Sequence, residues 1–310
     1  MRGDRPTGLL ARTGRGPVTD PVRRVDAALA GCRSCQSLLV THSRATIKAL
    51  LAEHGLSPSR ALGQNFVADA NTVRRIARLA GVGPGDVVVE IGAGLGSLTL
   101  ALAETGAEVV AIEVDRYLIE PLRSVVDGHG IVVHHLDALE ADFSAITGGR
   151  PAVVVANLPY NVATPLVLRI LETQPTIKRL LVMVQREVGE RLAASAGDEA
   201  YGAVSLRVQY FADAAVVGRV SPNVFVPRPK VESALVSVVR REAVRVDPSV
   251  VSETELFSVI RTAFGQRRKM LRRSLADWTT EGVFERAQVE ETRRPEELTL
   301  EEFARLAASR

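Results

Sequence analysis

The chain has 310 residues, a formal net charge of +3 at pH 7, 46% hydrophobic residues and 24% charged residues. This balance is typical of a globular protein with enough chain for one large domain and a small one. No apolar run reaches the ~20 residues that span a bilayer, and the amino terminus lacks the apolar core of a signal peptide, so we expect a cytoplasmic protein with no membrane partner. Arg outnumbers Lys by 35 to 4, a skew typical of a GC-rich genome, so the overall basicity says little about nucleic-acid binding.

The first 43 residues are rich in Gly, Pro and Arg and show no sustained hydrophobic periodicity. Such a segment cannot bury a core, so we predict that residues 1–43 form a disordered extension. They contain both cysteines, Cys32 and Cys35, in the sequence CRSC. A structural zinc site would need a second pair of ligands or nearby histidines. We therefore predict no metal site, with a zinc or redox pair as the alternative.

From residue 44 onwards, short apolar segments alternate with amphipathic segments. A helix is predicted from Ala45 to Leu56, and strands are predicted in DVVVEI, AEVVAIE, GIVVHHL, PAVVVAN and IKRLLVMVQ. This alternation predicts an α/β domain over residues 44–246, built on a parallel sheet that helices cover on both faces. The segments YGAVSLRVQYFADAAVVGRV and SALVSVVRR are predicted to add further strands. Residues 247–310 change to helical patterns and are predicted to form a small helical domain.

Acidic residues stand at the ends of three successive predicted strands. Ligands of open α/β sheets lie at the carboxyl ends of the strands, where EIGAGLG places Glu90 and a glycine turn, and where Glu113 and Asp137 end the next two strands. A glycine turn alone does not separate a dinucleotide site from an S-adenosylmethionine site. The G-x-G-x-G spacing and the preceding Glu90 favour S-adenosylmethionine, because its ammonium group would suit a nearby carboxylate. Glu113 would accept the ribose hydroxyls and Asp137 an adenine amino group, although Asp137 could instead cap a turn.

The fourth strand ends in Asn157, Leu158, Pro159 and Tyr160. The amino group of adenine is a poor nucleophile because its lone pair is delocalised, so an enzyme that methylates it must hold its hydrogens and aim its lone pair. The Asn157 side-chain oxygen and the Leu158 carbonyl would accept the two hydrogens, while Pro159 fixes the turn. Tyr160 would stack on an extruded base, a contact worth about 1–3 kcal/mol. The alternative is a simple strand-ending turn with a core tyrosine.

Six segments carry a resemblance to a known family over about residues 45 to 300. They are ALGQNFVADAN, VEIGAGLGSLT, VANLPYNVATPL, MVQREVGERLAASAGDEAYGAVSLRVQY, FVPRPKVESALV and AFGQRRKMLRRSL. Together they resemble the KsgA family of small-subunit ribosomal RNA adenine N6-dimethyltransferases. The resemblance implies a Rossmann-like class I methyltransferase domain that uses S-adenosylmethionine, followed by a small C-terminal helical domain that contacts RNA.

The same resemblance implies a set of site residues. S-adenosylmethionine contacts fall on Asn65, Val67, Gly92, Glu113, Asp137 and Asn157. The catalytic motif falls on Asn157, Leu158, Pro159 and Tyr160, and Phe225 matches an aromatic residue that can stack on the target base. The implied activity is the transfer of four methyl groups to two adjacent adenines in the 3′-terminal hairpin loop of 16S rRNA. The implied partner is a pre-assembled small subunit late in its assembly, and the enzyme is expected to be a monomer.

Three residues depart from the pattern of the family. Arg228 stands where proline is usual, Glu232 where Asp is common, and Arg273 where Asn often occurs. These positions bear on turn shape and RNA contacts, so they affect the expected substrate geometry and leave the expected chemistry intact.

A basic segment without acids lies between residues 261 and 273. Positions 268 and 272, and 269 and 273, are predicted to be helical neighbours at i, i+4, whose like charges repel unless phosphates neutralise them. An RNA contact is therefore predicted, and the alternative is a solvated basic face offset by acids around Glu296–Glu302. The predicted RNA-binding residues are Arg267, Arg268, Lys269, Arg272 and Arg273, with Arg261 beside them.

Two other functions compete with dimethylation of small-subunit rRNA. The first is an Erm-type methyltransferase of large-subunit (23S) rRNA, which shares the cofactor fold and the Asn-Leu-Pro-Tyr corner. The second is a ribosome-assembly binding factor whose catalysis is incidental or lost. The basic segment argues against the first, and the intact Asn65, Glu113 and Asn157 argue against the second.

Overall fold

The computed structural model describes residues 42–159 and 161–310. The strands within these residues are β1 (Phe66–Val67), β2 (Val87–Ile91), β3 (Glu108–Glu113), β4 (Val132–His135), β5 (Ala152–Asn157), β6 (Ile177–Gln185), β7 (Ala212–Val220), β8 (Phe225–Val226) and β9 (Ser233–Arg240). Seven of them form one sheet in the order β4-β3-β2-β5-β6-β9-β7. Strands β4, β3, β2, β5 and β6 are parallel to one another, whereas β9 and β7 run antiparallel to their neighbours. The other two strands, β1 and β8, form a separate antiparallel pair.

The central strands are apolar on both faces. Every residue of β2 is buried, and five of the six residues of β5 are buried. Continuous apolar strands of this kind are typical of a parallel sheet that is covered on both sides. Ile91 pairs with Ile112 of β3 on one side and with Ala156 of β5 on the other. The carboxyl ends of β2, β3 and β5 therefore meet at one edge of the sheet, as the sequence predicted.

Helices cover both faces of the sheet and form the last part of the chain. The helices are α1 (Arg44–Glu53), α2 (Ala70–Ala80), α3 (Ser97–Ala103), α4 (Ile119–Val126), α5 (Phe143–Thr147), α6 (Ala163–Thr173), α7 (Arg186–Ala193), α8 (Ala203–Phe211), α9 (Glu253–Gly265), α10 (Leu271–Ser274), α11 (Val283–Ala287) and α12 (Leu300–Ala308). Short 3₁₀ turns occupy Pro222–Val224 and Pro295–Glu297. No helix of the described chain is long and apolar enough to cross a bilayer.

The prediction of a strand at the start of YGAVSLRVQYFADAAVVGRV is wrong. Its first half forms helix α8, and β7 begins at Ala212. Apolar and polar residues alternate along this segment, which is the pattern of a half-buried strand. The polar side chains instead make hydrogen bonds within the fold. Ser205 Oγ donates to the Arg191 carbonyl at 2.6 Å, and Gln209 Nε2 donates to the Ala194 carbonyl at 2.9 Å.

The helices after residue 246 pack against α8 and share its apolar core. The Tyr201 hydroxyl donates a buried hydrogen bond of 2.9 Å to the Leu298 carbonyl. The Tyr210 ring meets the Phe257 ring edge-on, with 5.4 Å between centroids. The domain boundary between residues 246 and 247 stays a prediction, and the core runs across it without a break.

Gly189 lies where helix α7 packs closely against the sheet. A Cβ added at Gly189 in α7 would lie 2.8 Å from Ala234 Cβ and 3.0 Å from Val236 Cγ2, both on β9. Gly189→Ala should therefore lower the free energy of unfolding by about 1–3 kcal/mol, the usual cost of overpacking. Gly265→Ala is the matched control, because nothing lies within 4 Å of that position at the end of α9. It should be neutral or stabilising by up to about 1 kcal/mol. Urea unfolding measures both, and an equal effect of the two changes would contradict this packing.

Candidate active site

A cavity of about 250 Å³ opens at the carboxyl ends of β2, β3 and β5. Glu90 contributes to its wall, as do residues of the segment between α1 and β1. The structure brings together around this cavity nearly all the residues predicted to bind the cofactor or to act in catalysis. They are Asn65, Val67, Gly92, Glu113, Asp137, Asn157, Leu158, Pro159 and Phe225. Tyr160 lies outside the described residues.

The turn after β2 adopts backbone angles that favour glycine. Gly92, Gly94 and Gly96 have φ values of 74°, 59° and 85°, in the left-handed region that side chains disfavour. A Cβ added at Gly94 would also lie 3.1 Å from the Phe66 ring. The Gly92 amide donates to the Ile112 carbonyl at 2.8 Å, which fastens the turn to β3. The bare backbone of this turn can therefore lie directly against a ligand.

Glu113 is a buried acid whose carboxylate is held by backbone amides. Its Oε2 accepts from Gly94 at 2.8 Å, and its Oε1 accepts from Val114 at 3.0 Å and from Asp115 at 2.9 Å. Burial raises the pKa of Glu113, and these hydrogen bonds oppose the rise. A carboxylate offers about four acceptor positions, so Oε2 keeps acceptor capacity for a hydroxyl group in the cavity.

Glu90 is a second buried acid, and it lacks such partners. Its side chain is 2% exposed, and Oε2 has no hydrogen-bond partner among the described residues. Burial is the chief cause that raises the pKa of Glu90 to about 8; the Thr99 hydroxyl opposes the rise, and repulsion from Glu113 adds to it. An unpartnered buried carboxyl group is costly, and a cation beside it would favour its charged form. The wall of the cavity thus holds a group that suits an ammonium ion.

Asp137 follows β4 and fits both interpretations of the sequence. Its Oδ1 accepts from the Leu139 amide at 2.8 Å, and its carbonyl accepts from the Glu140 amide at 3.0 Å. Asp137 therefore caps a turn, as the alternative proposed. It is also exposed and borders the cavity, so its second carboxylate oxygen can serve a ligand.

The Asn157 amide is held in one orientation. Its Nδ2 donates to the Asn65 carbonyl at 3.0 Å. Because a carbonyl can only accept, the nitrogen must face Asn65, and Oδ1 remains as the acceptor. The next residue, Leu158, is fixed by a hydrogen bond of 3.0 Å from its amide to the Met183 carbonyl of β6. Oδ1 of Asn157 is thus available for a donor such as an amino group.

Phe225 lies in the core beside the cavity. It is 2% exposed, pairs with Val67 in the β1–β8 ladder, and belongs to the apolar cluster on one face of the sheet. A base can stack only on an exposed ring face. Because the Phe225 ring is buried in this conformation, it forms part of the apolar wall of the cavity. Stacking of Phe225 on the target base stays a prediction that requires the ring to become exposed.

His42 lines the cavity, although the sequence analysis did not assign it to the site. Its Nε2 lies 2.7 Å from the Leu95 carbonyl, and its backbone amide donates to Ser97 Oγ at 3.2 Å. Burial lowers the pKa of His42, and the carbonyl partner requires a hydrogen on Nε2. No local motif marks this role, because both partners lie more than fifty positions along the chain.

No group of three or more His, Cys, Asp or Glu side chains that could hold a metal ion occurs within residues 42–159 and 161–310. Cys32 and Cys35 lie outside these ranges. The absence of a metal site remains a prediction from the sequence.

The basic segment is not one continuous helix. Helix α9 ends at Gly265 and α10 begins at Leu271, so Arg268 and Lys269 lie in the turn between them. The prediction that they are helical neighbours of Arg272 and Arg273 is therefore wrong. The break follows Gly265, a residue common at helix ends, and the Lys269 amide closes the intervening turn with a hydrogen bond of 2.8 Å to the Gln266 carbonyl.

Two of the five predicted RNA-binding side chains have acidic partners. Arg267 Nε lies 3.9 Å from Glu296 Oε2 and Arg272 Nη1 lies 3.5 Å from Glu291 Oε1. The Arg267 guanidinium also donates to the Glu199 carbonyl at 2.7 Å. The other three are exposed and form no ion pair with a described residue: Arg268, Lys269 and Arg273.

Comparison with known proteins places the chain among rRNA methyltransferases. The ribosomal RNA small subunit methyltransferase A of Streptomyces avermitilis is 46% identical over 278 residues, which cover 86% of this chain and 92% of that protein. The protein of the same name from Thermobifida fusca is 45% identical over 275 residues, which cover 86% of this chain and 95% of that protein.

Solved structures confirm the predicted fold. The 23S rRNA methyltransferase ErmE superposes with a TM-score of 0.65 at 26% identity, over 79% of this chain and 98% of that chain. A dimethyladenosine transferase from Plasmodium falciparum also gives a TM-score of 0.65, at 24% identity, over 77% of this chain and 94% of that chain. The family model described as ribosomal RNA adenine dimethylase matches residues 56–309. The chain belongs to the ribosomal RNA adenine dimethylase family.

Proposed function

We propose that this protein transfers methyl groups from S-adenosylmethionine to the N6 atoms of two adjacent adenines in the 3′-terminal hairpin loop of 16S rRNA. The observation that carries this proposal is the Asn157 amide, which is fixed with its oxygen free at the edge of a cavity suited to S-adenosylmethionine. Its substrate would be the assembled small subunit, late in assembly, and the enzyme would act as a cytoplasmic monomer.

The cavity offers a partner for each part of S-adenosylmethionine. The glycine turn lets the ligand approach the backbone, and the buried Glu90 suits the ammonium group. Glu113 can accept from the ribose hydroxyls through Oε2, and Asp137 can accept from the adenine amino group. When bound, S-adenosylmethionine supplies an electrophilic methyl group on its sulfonium.

The Asn-Leu-Pro-Tyr corner would prepare the target amine. Asn157 Oδ1 and the Leu158 carbonyl would accept the two N6 hydrogens, which turns the nitrogen lone pair toward the methyl group. The amine gives up its proton to water after transfer, so no strong base is required. Most of the rate would come from holding the amine and the methyl group in line.

The small subunit is favoured over the large subunit as substrate. The relatives named as small-subunit methyltransferases are 45–46% identical, whereas the 23S rRNA enzyme ErmE is 26% identical. The exposed cations of the basic segment fit phosphates of a loop whose bases are already unstacked. Labelled S-adenosylmethionine should therefore mark hypomethylated small subunits and leave large-subunit RNA unmarked.

We expect Glu113→Ala to weaken S-adenosylmethionine binding at least about ten-fold, because it removes a charged hydrogen-bond acceptor for the ribose. Glu108→Ala is the matched control. Glu108 begins the same strand, is exposed, and pairs with Arg150, so its loss should leave the affinity unchanged. Calorimetry measures the affinity and a melting curve checks the fold. Equal affinities for the Glu113 variant and the wild type would refute the assignment.

Asn157→Ala should lower the single-turnover rate of dimethylation at least about 100-fold, a loss comparable to that of other preorganised polar contacts to a transition state. RNA and cofactor should still bind, because the contribution of Asn157 is made in the transition state. Tyr160→Ala should also slow turnover, whereas Tyr160→Phe keeps the stacking face and should retain much of the rate. The assay uses hypomethylated small subunits at saturating cofactor. Near-normal turnover by Asn157→Ala would rule out this account of the amine.

The pairing of the basic residues predicts how salt affects binding of the small subunit. The double variant Arg268→Ala/Arg273→Ala should reduce the slope of log affinity against log salt by about two, because each unpaired cation releases about one counterion. The double variant Arg267→Ala/Arg272→Ala should reduce it less, because Glu296 and Glu291 already neutralise those cations. The same slope for both doubles would show that the ion pairs do not decide which residues contact RNA.

A further inference from the structure

Gln64, which lines the cavity, uses both ends of its side-chain amide. Its Oε1 accepts from the Ser59 amide at 2.7 Å, and its backbone amide donates to the Ser59 carbonyl at 3.0 Å. Its Nε2 donates to Asp115 Oδ2 at 2.7 Å. The segment between α1 and β1 is therefore closed on itself and fastened to the turn that follows β3.

Asp115 connects this contact to the buried acid of the cavity. The Asp115 amide donates to Glu113 Oε1 at 2.9 Å, and Asp115 Oδ1 accepts from the Tyr117 amide at 3.0 Å. These hydrogen bonds wrap the turn around the Glu113 carboxylate. A displacement of Asp115 would therefore move its own backbone amide, which donates a hydrogen bond to Glu113 Oε1.

The residue after Gln64 connects the same segment to the catalytic corner. The Asn65 carbonyl accepts the hydrogen bond that orients the Asn157 amide. On the other side, a Cβ added at Gly63 would lie 3.0 Å from Pro159 Cβ, so the segment fits closely against the corner. The position of the Asn65 carbonyl thus depends on where Gln64 holds the segment.

We propose that Gln64 is a positioning residue that couples the cofactor-holding carboxylate to the amine-holding amide. Through Asp115 it fixes the turn around Glu113, and through the adjoining Asn65 carbonyl it fixes Asn157. This proposal rests on the roles proposed above for Glu113 and Asn157. Ser59 and Asp115 already engage both ends of the Gln64 amide, so its loss would act on the methyl group and the amine through their supports.

Exchange of the two polar partners separates this role from simple packing. In Gln64→Glu a carboxylate oxygen replaces Nε2 and faces the Asp115 carboxylate, so the contact becomes repulsive. In Asp115→Asn the Oδ1 acceptor can stay on the Tyr117 amide, and an amino group then faces the Gln64 amino group. The double variant Gln64→Glu/Asp115→Asn restores a donor and an acceptor with the direction reversed. The Ser59 amide keeps its oxygen partner in these two single variants and in the double variant.

The measurements are calorimetric binding of S-adenosylmethionine without RNA, and single-turnover methylation of hypomethylated small subunits at saturating cofactor. Each single variant should weaken binding about ten-fold and should slow the saturated rate, and the double variant should recover both to within about three-fold of the wild type. Gln64→Ala, which adds no charge, should lower both in the same way if Gln64→Glu does not fold. Melting curves should be alike for all folded variants.

Three results would overturn the proposal. The first is unchanged binding and rate in the single variants, and the second is a double variant as impaired as the sum of the singles. The third is a decrease in melting temperature large enough to explain the whole loss of affinity and rate. Glu113→Ala and Asn157→Ala, measured in parallel, distinguish an error in the proposed site from an error in the proposed coupling. If those variants behave like the wild type, the proposed site is wrong; if they are impaired and the Gln64 exchange has no effect, only the coupling is wrong.

Discussion

The proposed cofactor cleft depends on the hydrogen bonds that three backbone amides donate to the Glu113 carboxylate. A buried carboxylate without donors is costly, so Glu113 can be buried only where the turns after β2 and β3 converge on it. The amide of Gly94 reaches Oε2 because the turn takes a left-handed conformation at that residue, and the nearby Phe66 ring leaves no room for a side chain. The glycine turn, the buried acid and the pairing of β2 with β3 are therefore one structural unit.

Hydrogen bonds to the backbone also fix the polar groups of the proposed catalytic site at the end of β5. Asn157 could present either end of its amide to a substrate, and the Asn65 carbonyl selects the oxygen. The proposed chemistry asks for acceptors in fixed places, which a rigid strand end and a bound amide provide without an ionisable base. Glu90 contrasts with Glu113: both are buried, yet Glu90 Oε2 lacks a partner within the described chain. A cationic ligand would supply the partner that this oxygen lacks. Glu90 is therefore the buried acid of the cavity whose charged form a cationic ligand would stabilise.

Sequence patterns predicted the parallel sheet and the residues at its carboxyl edge, because buried strands and strand-ending acids leave local signals. The same patterns failed where long-range packing decides the structure. Helix α8 alternates apolar and polar residues like a strand, but its polar Ser205 is buried and donates to the Arg191 carbonyl, a contact with a residue 14 positions away. The contact of Gln64 with Asp115 joins residues 51 positions apart, so no local motif could reveal it. The burial of Phe225 was likewise not predicted, because the motif identifies the type of residue at that position and not its exposure.

The segment before the family match also contributes to the cleft. The family model begins at residue 56, yet Ile47 and Leu51 of α1 pack with Leu95 of the glycine turn. His42 contacts residues on both sides of Gly96, through the Leu95 carbonyl and Ser97 Oγ. The disordered extension was predicted over residues 1–43. Residues 1–41 lie outside the described residues, whereas His42 contacts the glycine turn. Since those contacts hold the backbone whose Gly94 amide reaches Glu113, α1 and His42 support the proposed cofactor site although they precede the range that the family model matches.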